Sequence, residues 1–299
     1  MIGIREVLCA TGIDRPAHTA LRYAFLVAEH FNAALDVVHA RALVKSGSSN
    51  LYLSAEQLFV QLKREQHSLG RLDTLIRAVP AGATGRATPH VVDGTVVDAV
   101  IGCSERYHSD VIVLGGNPTR KVESGCVARR VGERTLRPVL TVPDTRSPAM
   151  PRIQRILCPM EVRSKASMDA MKWAALFARS FGAAVELLHA READATSGGR
   201  YDSQEALRVA GVGAVVSFCP RTSSLTAECL RRVTEGSCDL IVISATARND
   251  RVSPVLAALR RDCGAPILSV QSTRTSRIFS REPVDTSSTG EGYGLDARA

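Results

Sequence analysis

The chain carries nearly the same message twice. Ile4 to Arg41 (IREVLCATGIDRPAHTALRYAFLVAEHFNAALDVVHAR) returns as Ile153 to Arg191 (IQRILCPMEVRSKASMDAMKWAALFARSFGAAVELLHAR). Leu8-Cys9 recurs as Leu157-Cys158. Ala20, Ala24, Ala28, Phe31 and His39 recur as Ala170, Ala174, Ala178, Phe181 and His189. Further on, SDVIVLGG from Ser109 matches CDLIVISA from Cys238, and RPVLTV from Arg137 matches APILSV from Ala265. A period near half of 299 residues predicts two homologous domains rather than a solenoid. The expected division is residues 1–144, a linker over 145–151 that contains two prolines, residues 152–271, and a disordered tail over 272–299.

Strand and helix patterns alternate within each copy. Arg5–Ala10, Ala34–His39, Thr88–Val92, Val111–Leu114 and Val139–Val142 are short apolar runs that read as buried strands. Between them Ala17–Phe31, Ser54–Val79 (with a break near Gly70), Thr95 to about Tyr107, and Val122–Thr135 have helical spacing, and Thr95 is a capping residue. In the second copy strands fall at Arg155–Cys158, Ala184–His189, Ala214–Phe218, Leu240–Ile243 and Ile267–Val270. Its helices fall at Lys165–Phe181, Asp202–Val209, Ser223–Glu235 and Val252–Asp262. Such alternation predicts parallel sheets with helices on both faces and right-handed crossovers. Ligands of these sheets sit beyond the carboxyl ends of the strands, where strand order reverses.

The net charge of +8 is not gathered into an arm or stripe, which argues against nucleic acid as the partner. No apolar run reaches the roughly 18–20 residues of a membrane span, so no membrane association is expected. The start, MIGIREVLCATG, runs directly into a strand with no signal-sequence pattern, and none of the eight cysteines forms a C-x-x-C pair. A reduced, cytoplasmic setting follows as the expectation, with no metal site.

These pieces, in this order, resemble the universal stress protein family in a tandem two-domain form. The resemblance rests on ATGID, ALRYA, VVHA, VVDG, SDVIVLGG and RPVLTV in the first copy, and on AMKWAALFA, LLHA, CDLIVIS and APILSV in the second. It covers most of residues 3–271. It implies two five-stranded parallel α/β domains of strand order 3-2-1-4-5 that pair through their last strands as an intrachain pseudo-dimer. Val139–Val142 and Ile267–Val270 would form that seam. Many members of the family bind ATP, others act through protein partners, and fast catalysis is not a family trait. The expected protein is therefore a non-enzymatic stress-response factor without catalytic residues. Its partners would be a small nucleotide or an unidentified protein, and a homodimer is open to it.

ATP-binding members have an Asp at the end of strand one and a G-x-x-G loop after strand four, followed by G-[ST]. Glycines let backbone N–H groups reach phosphates, and the next helix N-terminus adds partial positive charge. The first domain keeps part of this. The residues so implicated are Ala10, Thr11, Gly12, Asp14, Leu114, Gly115, Asn117, Gly125, Cys126 and Val127. Gly12 stands at the Asp position, with Asp14 two residues on. Pro118 replaces the second glycine and lacks an N–H, while Arg120 and Lys121 offer cationic contacts instead. The second domain has Glu161 near the Asp position, but Ser244, Ala245 and Thr246 where glycines would stand, so phosphate cradling is not expected there.

His39 and His189 end equivalent strands and read as partners of neighbouring loops rather than ligands. Of Cys103, Cys126, Cys219, Cys229, Cys238 and Cys263, Cys126 near a helix start is the best redox candidate, and ordinary packing is the preferred reading of all six. Two other functions remain open from sequence. One is a ligand-free scaffold; the other is a slow ATP hydrolase, which would need Asp14 near the phosphates.

Overall fold

The structure, a computed structural model, describes residues 3–13, 17–41, 55–79, 87–116, 124–144, 150–160, 165–189, 212–220, 222–246 and 253–271. The first half runs β1 (Glu6–Ala10), α1 (Ala17–Phe31), β2 (Ala34–Arg41), α2 (Ala55–Arg77), β3 (Ala87–Asp93), α3 (Val96–Arg106), β4 (Val111–Gly116), α4 (Ser124–Arg134) and β5 (Val139–Pro143). The second runs β6 (Arg155–Met160), α5 (Lys165–Phe181), β7 (Ala184–His189), β8 (Ala214–Phe218), α6 (Leu225–Thr234), β9 (Leu240–Ser244), α7 (Pro254–Asp262) and β10 (Ile267–Val270). α2 continues through Gly70 without the expected break. The expected helix over Asp202–Val209, most of the linker and the tail lie outside the described residues.

The helices form where apolar residues recur at helical spacing. In α1, Ala20, Leu21, Ala24, Val27 and Ala28 are all buried and lie on one stripe. The stop is equally local. Asn32 is left-handed at φ 51°, and the Ala33 N–H donates to the Ala28 carbonyl across the turn, so orphan carbonyls are satisfied. α5 ends the same way with Gly182 at φ 65° and Ala183 donating to Ala178. α3 and α6 repeat the device with His108 (φ 52°) and Gly236 (φ 65°).

The strands form one sheet in the order β3-β2-β1-β4-β5-β10-β9-β6-β7-β8. This corrects the expectation of two separate five-stranded sheets. Each half does have the 3-2-1-4-5 order, but β5 and β10 would each be an open edge, with a row of unpaired N–H and C=O groups. They satisfy each other as the antiparallel pair of an otherwise parallel sheet, with Leu268 opposite Leu140. The seam therefore falls on the strands that the sequence nominated.

The two faces of the sheet differ. On the α1/α5 face a single apolar core runs through both halves, from Leu21, Phe25 and Val37 to Trp173, Phe177 and Val242. Phe31 meets Phe177 edge-on at 5.3 Å, and the His30 ring stacks on Phe181 at 4.2 Å. On the other face each half keeps its own core. One is built on Leu8, Val100, Ile112 and Val131; the other is built on Leu157, Cys229, Ile241 and Leu259.

Two carboxylates tie the sheet's amino edge. The Asp110 carboxylate accepts from the Arg5 and Glu6 N–H groups at 2.7 and 3.2 Å. Its repeat, Asp239, accepts from Gln154 and Arg155 at 3.0 and 2.9 Å. Recurrence of Ser-Asp and Cys-Asp before β4 and β9 thus has a structural cause: the acid closes the start of the neighbouring strand.

Candidate functional site

Strand order reverses between β1 and β4, and there the sheet presents its carboxyl ends. Ala10 and Leu114 are register partners at that point, and both are buried. Thr11 prolongs β1: its N–H donates to the Val38 carbonyl at 3.0 Å. Gly12 follows, exposed. Gly115 stands at the exposed end of β4, where an added Cβ would meet the Ala20 Cβ at 3.4 Å. Gly125 and Cys126 lie in the first turn of α4, and Val127 packs half-buried against the core of that face. The fold thus brings together Ala10, Thr11, Gly12, Leu114 and Gly115, with the start of α4 close in sequence to β4. Asp14 and Asn117, along with Pro118, Arg120, Lys121 and Glu161, lie outside the described residues, as does the side chain of Cys126.

His39 does what its position suggested. Its Nδ1 donates to the Thr11 carbonyl at 3.1 Å, which fixes the β1 terminus from the side of β2. His189 is buried beside Phe218, at 5.6 Å between ring centroids.

At the ends of β2 and β3 is a clamp that the sequence reading missed. The Arg41 guanidinium donates to both Asp93 oxygens, at 2.6 and 2.9 Å, and to the Gln61 carbonyl of α2 at 3.3 Å. The hydrogen bond from Arg41 holds the Asp93 carboxyl below the usual carboxylate range, against the opposing effect of burial. Gly94 takes φ 139°, a conformation that favours glycine, and its N–H donates to the Arg41 carbonyl. Thr95 then caps α3 by accepting from the Asp98 N–H, as its sequence position predicted. The signal was present in the VVDG element: an acid, a glycine and a cap in succession at a strand end.

The second half fills the equivalent place. Ser244 occupies the position of Gly115, and its hydroxyl donates to the Thr246 carbonyl at 2.9 Å and accepts from the Thr246 N–H at 3.2 Å. The Ala245 N–H donates to the Val270 carbonyl at 2.7 Å, and the Ser253 N–H donates back to the Ala245 carbonyl at 3.0 Å. The Thr246 amide, which would have to face a phosphate, is consumed within the turn.

Cys9, Cys103, Cys158, Cys219, Cys229 and Cys238 are buried, and Cys263 is half-buried. Burial pushes the Cys9 and Cys158 thiols up to about 12, and raises Cys103, Cys219, Cys229 and Cys263 as well, which leaves little reactive thiolate. Among the described residues no cluster of His, Cys, Asp or Glu could hold a metal ion. No helix there is long and apolar enough to cross a membrane.

Residues 3–143 match the family model described as the universal stress protein family. The chain carries a universal stress protein domain. The full chain also has the fold of longer relatives. It is similar to a universal stress protein from Archaeoglobus fulgidus DSM 4304, at TM-score 0.70 and 16% identity, covering 89% of this chain and 98% of that one. It is similar too to a candidate universal stress protein from Pseudomonas aeruginosa UCBPP-PA14, at TM-score 0.60 and 14% identity, covering 93% and 96%. At these identities the likeness is one of fold. No curated protein matches the sequence. The likeness of fold thus extends over both halves, while the family's sequence pattern is matched over the first.

Proposed function

We propose that this universal stress protein is a non-enzymatic, cytoplasmic regulatory protein that binds one adenine nucleotide per chain, at the β1/β4 reversal of the first half. One contrast supports this above all. In the second half the Ser244 hydroxyl takes up the Thr246 amide, whereas the first half has Gly115 in place of Ser244, with no side chain to make such a bond. The first turn of α4, containing Gly125, would face the phosphates with its free N–H groups. The second half serves as a structural partner. A further chain could not add at β5 or β10, which are spent on each other, so any homodimer would use β3, β8 or a helix face.

Titration of ATP and AMP into the full-length protein, followed by native mass spectrometry, tests the reading. One nucleotide per chain is expected. Gly115→Ser with Gly116→Ala, which transplants the second half's sequence, should weaken binding by about tenfold or more through the loss of one or two amide contacts. Two nucleotides per chain, or none, would overturn the proposal. Hydrolysis, if any is measured, should vanish in Asp14→Asn; persistence in that variant would remove Asp14 from consideration.

A further inference from the structure

α2 lies beside α1 at the carboxyl side of the sheet, and two adjoining clefts run along it. The larger, about 570 Å³, reaches from Ile13 and His18 to Arg71, Thr74 and Leu75. The smaller, about 360 Å³, is walled by Arg41, Lys63, Arg64 and Ser68. His67 lines both, so they form one groove. The larger cleft alone is of a size that holds small ligands.

The charge of the groove is one-sided. Among the described residues no carboxylate lines it. Several basic residues elsewhere are matched: Arg77 with Asp73, Arg129 with Glu133, Arg134 with Asp98, Arg155 with Asp239 and Arg231 with Glu228. Among the described residues Arg64 and Arg71 have no ion-pair partner, and Lys63 meets only the Phe59 ring, at 4.5 Å. The nearby acid Glu65 acts on Arg41, which is already bound to Asp93. Unmatched like charges repel one another, and a ligand that neutralises them would relieve that repulsion.

A glycine keeps the groove open. Gly70 sits within α2 with ordinary helical backbone, and a Cβ there would meet nothing within 4 Å. Neither conformation nor packing calls for glycine, which is a much poorer helix former than alanine. Its place in the lining of the larger cleft gives it a use: a side chain there would project into the space between His67 and Arg71.

We propose that this groove binds a free linear oligophosphate, at a site separate from the β1/β4 reversal. Length argues for a chain of phosphates rather than one. Lys63 and Arg71 are eight residues apart on α2, or about 12 Å at helical rise. Arg71 and Arg64 offer planar guanidinium forks to phosphate oxygens, Lys63 offers a point charge, and His67 joins the two clefts.

The experiment is calorimetric titration of sodium tripolyphosphate into the full-length protein, in low and high salt. Saturable one-to-one binding that weakens steeply with salt is expected. Arg64→Gln with Arg71→Gln should weaken it by roughly tenfold or more. Gly70→Leu should abolish binding while the melting temperature holds or rises, because leucine is the better helix former and its Cβ meets no neighbour. The Gly115→Ser/Gly116→Ala variant should bind tripolyphosphate unchanged, which separates this site from the nucleotide site. ATP titrated into that variant should bind more weakly than tripolyphosphate; affinity above that of tripolyphosphate would mark a nucleotide as the occupant and overturn the free-chain proposal. Absence of tripolyphosphate binding, or binding that Gly70→Leu and the double glutamine variant leave intact, would overturn the proposal.

Discussion

His108 and Gly236 do the same work at the ends of α3 and α6, yet only one is glycine. Both are left-handed, and in each the following N–H reaches back to close the helix. A residue with a Cβ is strained there and glycine is not, by roughly 1–2 kcal/mol, partly offset by the entropy glycine adds to the unfolded chain. His108→Gly should therefore stabilise the protein by about 0.5–1 kcal/mol, and Gly236→Ala should destabilise it by about 1 kcal/mol, both read by urea unfolding. Opposite charge effects are expected for two glutamates. Hydrogen bonding to Arg231, opposed by burial and helped by the charges of Arg231 and Arg232, holds the Glu228 carboxyl below its ordinary 4.5. Ionised Glu228 thus adds stability above that pH, and the addition is lost as pH falls through the lower folded value. Burial first, then the charges of Asp36 and Asp110, raises Glu6. Its ionisation costs stability, and the cost appears as pH rises past 4.5 toward the folded value. Glu228→Gln should weaken the protein at pH 7 and match wild type in acid. Glu6→Gln should strengthen it at pH 7 and also match in acid. A pH series of urea midpoints checks both signs. At this scale the sequence was a partial guide. Thr95 as a cap and His39 as a loop partner were legible, because each acts on a residue near in sequence or at a strand end. The Arg41–Asp93 clamp spans 52 residues, and no local pattern announces such a pairing.

The elements themselves were legible almost to the residue, because their periodicities are clean and were seen twice. α1, α5, β7, β8 and β10 begin and end where apolar spacing placed them. The joining of the sheets was less so, since strand pairing depends on which edges stay open rather than on local pattern. The seam shows how drift between copies became fit. Gly132 in α4 lies against Arg260 in α7, with the site of a Cβ 3.5 Å from the Arg260 Nη2. Arg260 donates to the Ser269 hydroxyl at 2.9 Å, which donates to the Val139 carbonyl at 3.1 Å across the seam. The Gln271 side-chain amide donates to the Gly132 carbonyl. Burial pushes the Arg260 guanidinium down to about 10, with Glu133 opposing. In the aligned copies Gly132 and Arg260 are equivalent positions, as are Thr141 and Ser269. The Thr141 hydroxyl is buried without a partner among the described residues. Pairing two second halves would set guanidinium against guanidinium; pairing two first halves would leave a gap. Gly132→Arg alone should cost about 1–3 kcal/mol through overpacking and like charge, and Arg260→Gly should cost about as much through lost packing. The double swap should recover at least about 1 kcal/mol of the summed loss, because an arginine at 132 can reach Thr141 as Arg260 reaches Ser269. Strict additivity in thermal melts would remove the seam as a matched pair.

Over the whole molecule, the shared α1/α5 core decides how the halves unfold. Separate cores on the other face would permit each half to open alone, but the continuous face runs from Leu21 to Trp173 and Val242 through the seam pair Leu140 and Leu268. Opening one half would strip apolar surface from the other and expose the backbone groups of β5 or β10. A single cooperative transition is therefore expected despite the duplicated sequence. Trp173, the lone tryptophan, is fully buried in the second half and reports on it locally. Leu21 is fully buried in the first half. Leu21→Ala should destabilise by about 2–5 kcal/mol through lost transfer energy and the cavity left behind. If the core couples the halves, urea unfolding followed by Trp173 fluorescence should shift by the same amount as unfolding followed by far-ultraviolet circular dichroism, and the two traces should coincide in both proteins. A Trp173 transition that stays at the wild-type midpoint while the dichroism trace splits in two would mean that the halves unfold independently. The hydrogen bonds of β5 with β10 would then be a contact between domains rather than the middle of one sheet.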